Sequence, residues 1–375
     1  MSDKSHEWFL LVKGTAGEKY DLTTPGRYPL MLGDVFDALD RRQSLDWSGH
    51  FYGNPAIVDY IIKTQKYDVR TENVLPVTGG TSMANFLTCM ALLKPGDEVI
   101  CETPAWTQVG NICHRMGVKV NWWYLRPEND WKPDLKELGK LINAKTKLIY
   151  ICNPNNPIGS VLSKDEMIEL CNFASQYGTY ILCDEIYRGL EWQSEELSPS
   201  VVNYYERGIS TSGLTKILGV CGIRFGWFAT RDKRLYDECF DIYYDCALCN
   251  NIISERIALK LLEPSKYQEL LQEGKAIGKE NLKILSDMVA GSDLWSMSMP
   301  GGAYCCFVKN NTHEPSWDFC ERLLKKKPIG VALVPGITYN DYCEYYVRVG
   351  FGVAKPDTFR SALEIIETEA REYKG

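Results

Sequence analysis

The chain has 375 residues, of which 45% are hydrophobic and 24% charged, and its formal net charge is −7 at pH 7. This length and composition predict a soluble globular protein with room for a large domain and a smaller one. The acidic balance argues against nucleic acid or an anionic membrane as a partner, and no apolar run is long enough to span a bilayer.

The fourteen cysteines are scattered along the chain, and several lie in apolar runs typical of buried strands. The first residues, MSDKSHEWFLL, lack the pattern of a secretory signal peptide. We therefore expect reduced cysteines in a cytoplasmic protein. Cys246 and Cys249 form one C-x-x-C pair without a second pair at zinc-finger spacing, so no metal site is expected.

Two glycine-bearing segments stand out in the first part of the chain. Residues 45–57, LDWSGHFYGNPAI, lead into a helix that is predicted to begin near Pro55. Residues 74–92 are predicted to form a strand, a TGGTS turn and a helix. Glycines and hydroxyls at a helix N-terminus can bind phosphate, because free N–H groups and the helix dipole point at the anion. The alternative is an ordinary N-cap at Thr81 or Ser82.

Strands and helices are predicted to alternate through the middle of the chain. Strand-like runs occupy residues 118–125, 147–152, 179–187 and the segment before Lys216, with helices at 133–143, opened by Pro133, and 163–177, capped by Ser163. This alternation predicts a mostly parallel sheet covered by helices on both faces. Binding sites in such sheets lie at the carboxyl ends of the strands, where residues 78–82, Asn156, Asp184 and Lys216 fall.

The pattern changes after about residue 255. A long charged helical stretch at 264–289 precedes the strand-like runs GGAYCCFV and ALVPG, the helical run WDFCERLLKKK, the strand-like run EYYVRVGFG and a terminal helix. We expect a large domain over residues 41–260 and a smaller α+β domain over 261–375, to which residues 1–40 contribute.

The segment ISTSGLTKILGVCGIRFGW carries the strongest chemical signal. Lys216 lies in its Ser/Gly/Thr-rich loop, and a lysine with a lowered pKa can form a Schiff base with an aldehyde. Ser212, Gly213 and Thr215 can hydrogen-bond a phosphate, and Arg224 can bind it through two parallel hydrogen bonds. An aldehyde and a phosphate in one ligand suggest pyridoxal 5'-phosphate (PLP), although a lysine in such a loop is more often simply solvated.

Four other residues supply groups that a PLP site needs. Asp184 ends a buried strand without a basic neighbour, and a buried carboxylate needs a cation such as a pyridinium nitrogen; otherwise it caps the next turn. Asn156 and Tyr187 can bond the cofactor's phenolic oxygen, although Asn-Pro pairs also simply make turns. Trp106 offers a flat face for stacking on a ring, or else belongs to the core.

Together these stretches resemble the fold-type I PLP enzymes of the class I/II aminotransferase family. Motifs in the family's order cover nearly the whole chain: TGGTSMA, TPAW, CNPNNPIG, DEIYRGL, SGLTK with GIRFGW, PGGAY and YYVRVGF. The resemblance implies a large domain with a mostly parallel seven-stranded sheet, a smaller α+β domain, PLP as cofactor and a homodimer with a shared active site.

The resemblance also implies residue roles. Lys216 would be the internal aldimine lysine and move a proton between Cα and C4′, Asp184 would pair with the pyridine nitrogen, and Arg348 would bind the substrate α-carboxylate. The cofactor's phosphate would be bound by Gly80, Thr81, Thr215 and Arg224, its phenolic oxygen by Asn156 and the catalytic Tyr187, and its ring by Trp106. Asn156 would also contact the substrate.

Several positions depart from the family pattern. Gly213 stands where a phosphate hydroxyl is usual, so one such hydroxyl is either missing or supplied by Ser212, and Ile158 replaces the Thr of NPxNPTG. The tyrosine that reaches the partner subunit's phosphate is assigned to Tyr52, with Trp47 as the alternative. The arginine that often opens the following helix is absent, with Val58 nearest. The arginine of dicarboxylate-specific members cannot be placed, which argues against an aspartate-type substrate.

The resulting prediction is a PLP-dependent aminotransferase that moves an amino group between an L-α-amino acid and a 2-oxo acid in a ping-pong cycle. The same site can serve a lyase, a racemase or a cyclase, because the fold does not fix the reaction. A third class of function is a non-catalytic sensor fused to a DNA-binding module. The acidic chain, the lack of a preceding helix-turn-helix pattern and the presence of Lys216 argue against it.

Overall fold

The computed structural model describes residues 4–39, 42, 44–46 and 49–373. The helices are α1 (Lys4–Gly14), α2 (Leu32–Val35), α3 (Pro55–Gln65), α4 (Thr81–Leu92), α5 (Gln108–Arg115), α6 (Leu135–Leu141), α7 (Lys164–Tyr177), α8 (Lys233–Ala247), α9 (Ile252–Leu262), α10 (Pro264–Ala290), α11 (Ser316–Lys325) and α12 (Pro356–Glu372). The strands are β1 (Glu18–Asp21), β2 (Val74–Thr78), β3 (Glu98–Thr103), β4 (Lys119–Tyr124), β5 (Thr146–Cys152), β6 (Tyr180–Asp184), β7 (Gly208–Gly213), β8 (Phe225–Thr230), β9 (Trp295–Met297), β10 (Cys305–Asn310), β11 (Ile329–Ala332), β12 (Val334–Pro335) and β13 (Tyr346–Gly350).

Within the described part of the chain, β2 to β8 form a seven-stranded sheet in the order β2-β8-β7-β6-β5-β3-β4. The strands β4, β3, β5, β6 and β7 pair in parallel, whereas β8 is antiparallel to both β7 and β2. Parallel neighbours need crossover connections, and helices such as α7 between β5 and β6 supply them. The predicted mostly parallel sheet is thereby confirmed.

Helices cover both faces of this large sheet. Along β3, Val99 and Cys101 pack in one apolar cluster with α4, α5 and α8, and Ile100 packs in another with α6 and α7. Successive side chains of a strand point to opposite faces. The three apolar residues at the centre of β3 are therefore buried on both faces of the sheet, as expected for a parallel sheet.

The strand directions bring the candidate residues to one edge of the large sheet. β6 ends at Asp184, and β5 and β7 end shortly before Asn156 and Lys216. Because β8 runs the opposite way, its first residue, Phe225, lies at the same edge and pairs with Thr78 at the end of β2. Sequence-distant motifs therefore meet where ligands of α/β sheets bind.

A second group of strands carries Arg348. Strands β12, β13, β10 and β9 form an antiparallel sheet in which Arg348 of β13 pairs with Phe307 and Val334. The N-terminal β1 pairs in parallel with β11, with Glu18 opposite Ile329. These pairings support the expected contribution of residues 1–40 to the smaller domain, and the domain boundaries stay a proposal. No described helix has both the length and the apolar character needed to cross a membrane.

The helix starts agree with the predictions only in part. Ser163 caps α7 in a capping box with Glu166, as predicted. Pro133 does not open α6, because Asp134 is its N-cap and accepts a hydrogen bond from the backbone of Lys136. At α4 the N-cap is Gly80, which makes no side-chain cap. The alternative of an ordinary cap by Thr81 or Ser82 is therefore wrong.

Candidate active site

A cavity of about 280 Å³ lies at the carboxyl edge of the large sheet. The predicted residues that line it are Thr81, Trp106, Asn156, Asp184, Tyr187, Thr215, Lys216, Arg224 and Arg348. Gly80 lies beside it, because a Cβ at this position would be 3.2 Å from Nη2 of Arg224. The fold thus brings together residues that are separated by up to hundreds of positions in the sequence.

Tyr52 lies elsewhere on the surface. It is 58% exposed and stacks on Phe240 with 4.0 Å between ring centroids. Its role toward the phosphate of a partner subunit stays a prediction. The alternative, Trp47, lies outside the described residues.

Lys216 follows β7 and reaches the cavity from its floor. Burial lowers the pKa of its amine, and the positive charges of Arg348 and Arg224 act in the same direction. None of the ion pairs between described residues includes Lys216. A larger fraction of the amine is therefore unprotonated near neutral pH, which is what a nucleophile or general base requires.

Asp184 is a buried carboxylate that faces this lysine. Its Oδ2 accepts a hydrogen bond from Nδ2 of Asn85 at 3.3 Å, and its Oδ1 accepts one from the backbone of Ile186 at 3.1 Å. Burial raises the pKa of Asp184 from 3.8 to about 6, although these hydrogen bonds and the charge of Lys216 act against the shift. A bound cation at this carboxylate would restore its ionised form.

This raised pKa makes a testable contribution to stability. Between about pH 4 and 6 the folded protein without ligand retains the Asp184 proton, whereas the unfolded chain has released it. We therefore expect the Asp184 contribution to the free energy of unfolding to fall by up to about 3 kcal/mol as the pH rises through this window. The variant Asp184→Asn lacks this dependence. The midpoints of urea unfolding at about pH 4 and about pH 7 measure the change in stability of both proteins. An equal change in the free energy of unfolding for variant and wild type would contradict the prediction.

The turn between β2 and α4 has free hydrogen-bond donors at the cavity. Oγ1 of Thr81 is buried and has no hydrogen-bond partner among the described residues. Arg224 donates to the carbonyl oxygens of Gly79 at 2.8 Å and Cys221 at 3.2 Å, and it forms no ion pair with a described carboxylate. A cation and a hydroxyl without an anionic partner, next to the N-terminus of α4, favour a phosphate ligand.

Tight backbone packing explains why glycine replaces the expected hydroxyl residue. A Cβ on Gly213 would lie 2.8 Å from the carbonyl oxygen of Phe225, and one on Gly226 would lie 2.6 Å from the carbonyl carbon of Gly80. Ser212 does not supply the missing hydroxyl, because its side chain donates to the carbonyl oxygen of Glu185 at 3.1 Å. Of the two alternatives, the structure therefore favours a missing hydroxyl, since alternate side chains of a strand point to opposite faces.

Arg348 lies at another wall of the cavity and is 1% exposed. Its Nη1 donates to Oδ1 of Asn156 and to the hydroxyl of Tyr339, both at 2.9 Å, and its Nη2 donates to the carbonyl oxygen of Thr23. Its Nε has no partner among the described residues. All three of these acceptors are neutral, so this buried charge still needs an anion, and a carboxylate fits the guanidinium fork.

The departures from the family pattern have structural explanations. Ile158 is 3% exposed and packs with Leu125, Trp131 and Phe307, which explains an apolar residue at this position. Val58 lies on the buried face of α3 and belongs to the core.

Several residues of the site could not be found from the sequence. Asn85 bonds Asp184, Tyr339 bonds Arg348, and Phe9 and Gln108 line the cavity. None of them lies in a motif or at a position with a distinctive pattern. Only the folded chain places them beside residues that were predicted.

Comparisons with known proteins agree with this geometry. The profile of the family "Aminotransferase class I and II" matches residues 34–366. An aspartate aminotransferase of Thermotoga maritima is 31% identical over 305 residues, which are 80% of this chain and 76% of that protein. Capreomycidine synthase of Streptomyces vinaceus is 27% identical over 304 residues, 81% of this chain and 76% of that protein.

A crystal structure of a PLP-dependent aminotransferase from Streptococcus suis 89-1591 matches with a TM-score of 0.90 and 32% identity, over 100% of this chain and 99% of that one. The family match spans most of the chain, and the match in fold covers the whole chain. The chain therefore belongs to the class I and II aminotransferase family and is an aminotransferase of fold type I.

Proposed function

We propose that this aminotransferase uses PLP in the cavity described above and transfers an amino group from an L-α-amino acid to a 2-oxo acid. The observation that carries the proposal is one cavity lined by Lys216 with a lowered pKa, the buried carboxylate of Asp184, and two arginines without carboxylate partners among the described residues. These groups match an aldehyde, a ring nitrogen, a phosphate and a substrate carboxylate.

The residues fit the cofactor. Thr81, with its unpartnered Oγ1, and Arg224, together with Gly80 and Thr215, would bind the phosphate. Asp184 would pair with the protonated ring nitrogen, which supplies the cation that its buried carboxylate lacks.

The remaining contacts would orient the ring. Asn156 accepts from Arg348 through its amide oxygen, which leaves its amide nitrogen to donate to the phenolic oxygen. Tyr187 and Trp106 also line the cavity, as expected for a second donor to this oxygen and for a stacking partner.

When bound, PLP supplies an aldehyde that condenses with amines and a ring that accepts an electron pair. Arg348 binds the α-carboxylate of the amino acid and orients the Cα–H bond. The amine of Lys216, whose pKa is lowered by burial, would take the proton from Cα and hold it at Nζ for return. Asp184 and Arg348 are almost fully buried, which strengthens the electrostatic interactions of their charges.

Titration of the purified protein with single L-amino acids, without an acceptor, tests this function. We expect the visible absorption band to disappear, with release of about one equivalent of 2-oxo acid per site, and to return when a 2-oxo acid is added. A spectrum that returns by itself without release of oxo acid would contradict transamination. It would favour a lyase, racemase or cyclase reaction. The similarity to capreomycidine synthase is compatible with such a reaction.

We further infer that two copies of the chain associate. Apolar side chains are exposed in the segment before α3: Tyr28 37%, Met31 65%, Leu32 61%, Phe36 52%, Leu45 74% and Tyr52 58%. Met31 and Leu32 line a surface groove that shares Thr24 with the cavity. A second copy on this surface would cover apolar area and lie close to the site.

The surface predicts the behaviour of a charge variant. Leu32→Glu would bury an unpaired carboxylate in the interface, at a cost of about 2–5 kcal/mol. We expect it to shift the protein toward monomers with lower activity, as measured by light scattering and kinetics at matched concentrations. Leu10→Glu, at a residue that is 61% exposed on α1, is the control. A wild-type monomer with full activity would rule out a shared site.

The cellular compartment of the protein is also a proposal. We place the protein in the cytoplasm because its cysteines are free thiols, most of them buried.

A further inference from the structure

The N-terminal helix α1 contributes one side chain, Phe9, to the wall of the cavity. Trp8 is fully buried, its Nε1 donates to the carbonyl oxygen of Leu333 at 2.8 Å, and its ring meets Trp317 edge-on with 5.2 Å between centroids. The next residue, Phe9, is half-buried, packs against the core and lines the cavity. A fixed Trp8 therefore holds Phe9 in place at the cavity.

This wall is close to Arg348. Leu333, which anchors Trp8, precedes Val334, and Val334 pairs with Arg348 across β12 and β13. Thr23, which accepts from Arg348, lines the cavity together with Pro25. A substrate with its α-carboxylate on Arg348 would thus have α1 beside it.

The wall carries no charge that could bind a second carboxylate. Among the described residues that line the cavity, the cations are Lys216, Arg224 and Arg348, and each already has a partner in the proposed mechanism. Of the other lining residues, Phe9, Pro25 and Ile186 are apolar, and Thr23, Thr24, Ser82 and Gln108 are polar but uncharged. A carboxylate among them would lose hydration without gaining an ion pair.

We propose that Phe9 determines side-chain specificity and that the site takes L-α-amino acids with an apolar, preferably aromatic, side chain rather than a dicarboxylic amino acid. The inference rests on the proposed function and names its substrate class. It departs from what the name of the Thermotoga maritima relative would suggest. An aromatic side chain would gain both apolar burial and ring contact with Phe9.

Binding of unreactive carboxylates to the holoenzyme tests this inference without turnover. 3-Phenylpropanoate has one carboxylate for Arg348 and a phenyl ring for Phe9, whereas succinate has two carboxylates and no apolar group. By calorimetry we expect 3-phenylpropanoate to bind at least about tenfold more tightly than succinate. Values of kcat/KM for L-phenylalanine and L-aspartate should show the same order.

Variants of α1 assign the effect to one side chain. Phe9→Ala should weaken 3-phenylpropanoate about threefold to tenfold and lower kcat/KM for L-phenylalanine more than for L-alanine. Phe9→Leu keeps the wall apolar and should give a smaller loss. The control Leu10→Ala, at the adjacent residue that is 61% exposed and does not line the cavity, should match wild type. A Phe9→Ala enzyme with unchanged affinities would overturn the assignment.

The two proposals fail in different ways. Succinate binding as tightly as 3-phenylpropanoate, for example through a cation from a second copy, would overturn the substrate class and leave amino transfer intact. Absence of oxo-acid release with every amino acid would overturn the proposed function. The ratio of the two binding constants in the wild type decides the substrate class, and the affinities of Phe9→Ala decide the role of Phe9. Neither measurement needs turnover.

Discussion

Replacement of Lys216 by alanine is expected to lower kcat/KM by at least about 10⁴-fold, the upper range for loss of a positioned general base. Lys216 is the one lysine among the described residues that line the cavity, so no other amine there can take its place. Its lowered pKa provides the unprotonated form that attack on an aldehyde and removal of a Cα proton both need. The visible band of a lysine-bound cofactor should disappear with the activity.

Two variants separate this chemistry from loss of charge or of folding. Lys216→Arg keeps a cation but cannot donate an electron pair, because arginine stays protonated, and it should be as inactive as the alanine variant. Lys283→Ala removes a lysine whose side chain is 74% exposed on α10 and should behave like wild type. Turnover of Lys216→Ala close to the wild-type rate would disprove the mechanism.

Replacement of Arg348 by alanine is expected to raise KM about 100-fold to 1,000-fold, because truncating one partner of a buried charge pair costs about 2–5 kcal/mol. The guanidinium is held by Asn156, Tyr339 and Thr23, so it is oriented before the substrate arrives. Retention of the cofactor, measured as visible absorbance per chain after gel filtration, should not change. Steady-state kinetics with the best amino donor measure the change in KM.

The conservative variant is the sharper test of Arg348. Arg348→Lys keeps a positive charge without the planar fork, so its KM should fall between those of wild type and Arg348→Ala. Arg70→Ala, at a side chain that is 82% exposed, is the matched control. Loss of the cofactor from Arg348→Ala, with KM unchanged, would instead assign this arginine to the phosphate.

Local physical chemistry made much of the site predictable. The TGGTS turn, the strand end at Asp184 and the loop at Lys216 each have an ordinary structural interpretation when taken alone, and their order in the chain favoured a shared site. The fold brings Thr81, Asp184 and Lys216 to one cavity. The alternating elements predicted the parallel sheet, because the periods of buried strands and amphipathic helices are set by backbone geometry.

Tertiary packing decided what local patterns could not. Gly213 replaces a hydroxyl residue because the backbones of β7 and β8 leave no space for a Cβ. The hydroxyl of Ser212 is engaged by the carbonyl oxygen of Glu185.

The sequence by itself determined that a mostly parallel α/β sheet would form, since this follows from the periods of its strands and helices, and it named candidate site residues through residue type and family resemblance. Only the tertiary structure decided that Tyr339 and the carbonyl of Thr23 hold Arg348, and that Phe9 lines the same cavity. Such contacts join residues hundreds of positions apart, so their geometry is set by the packing of whole elements and leaves no mark in any local pattern.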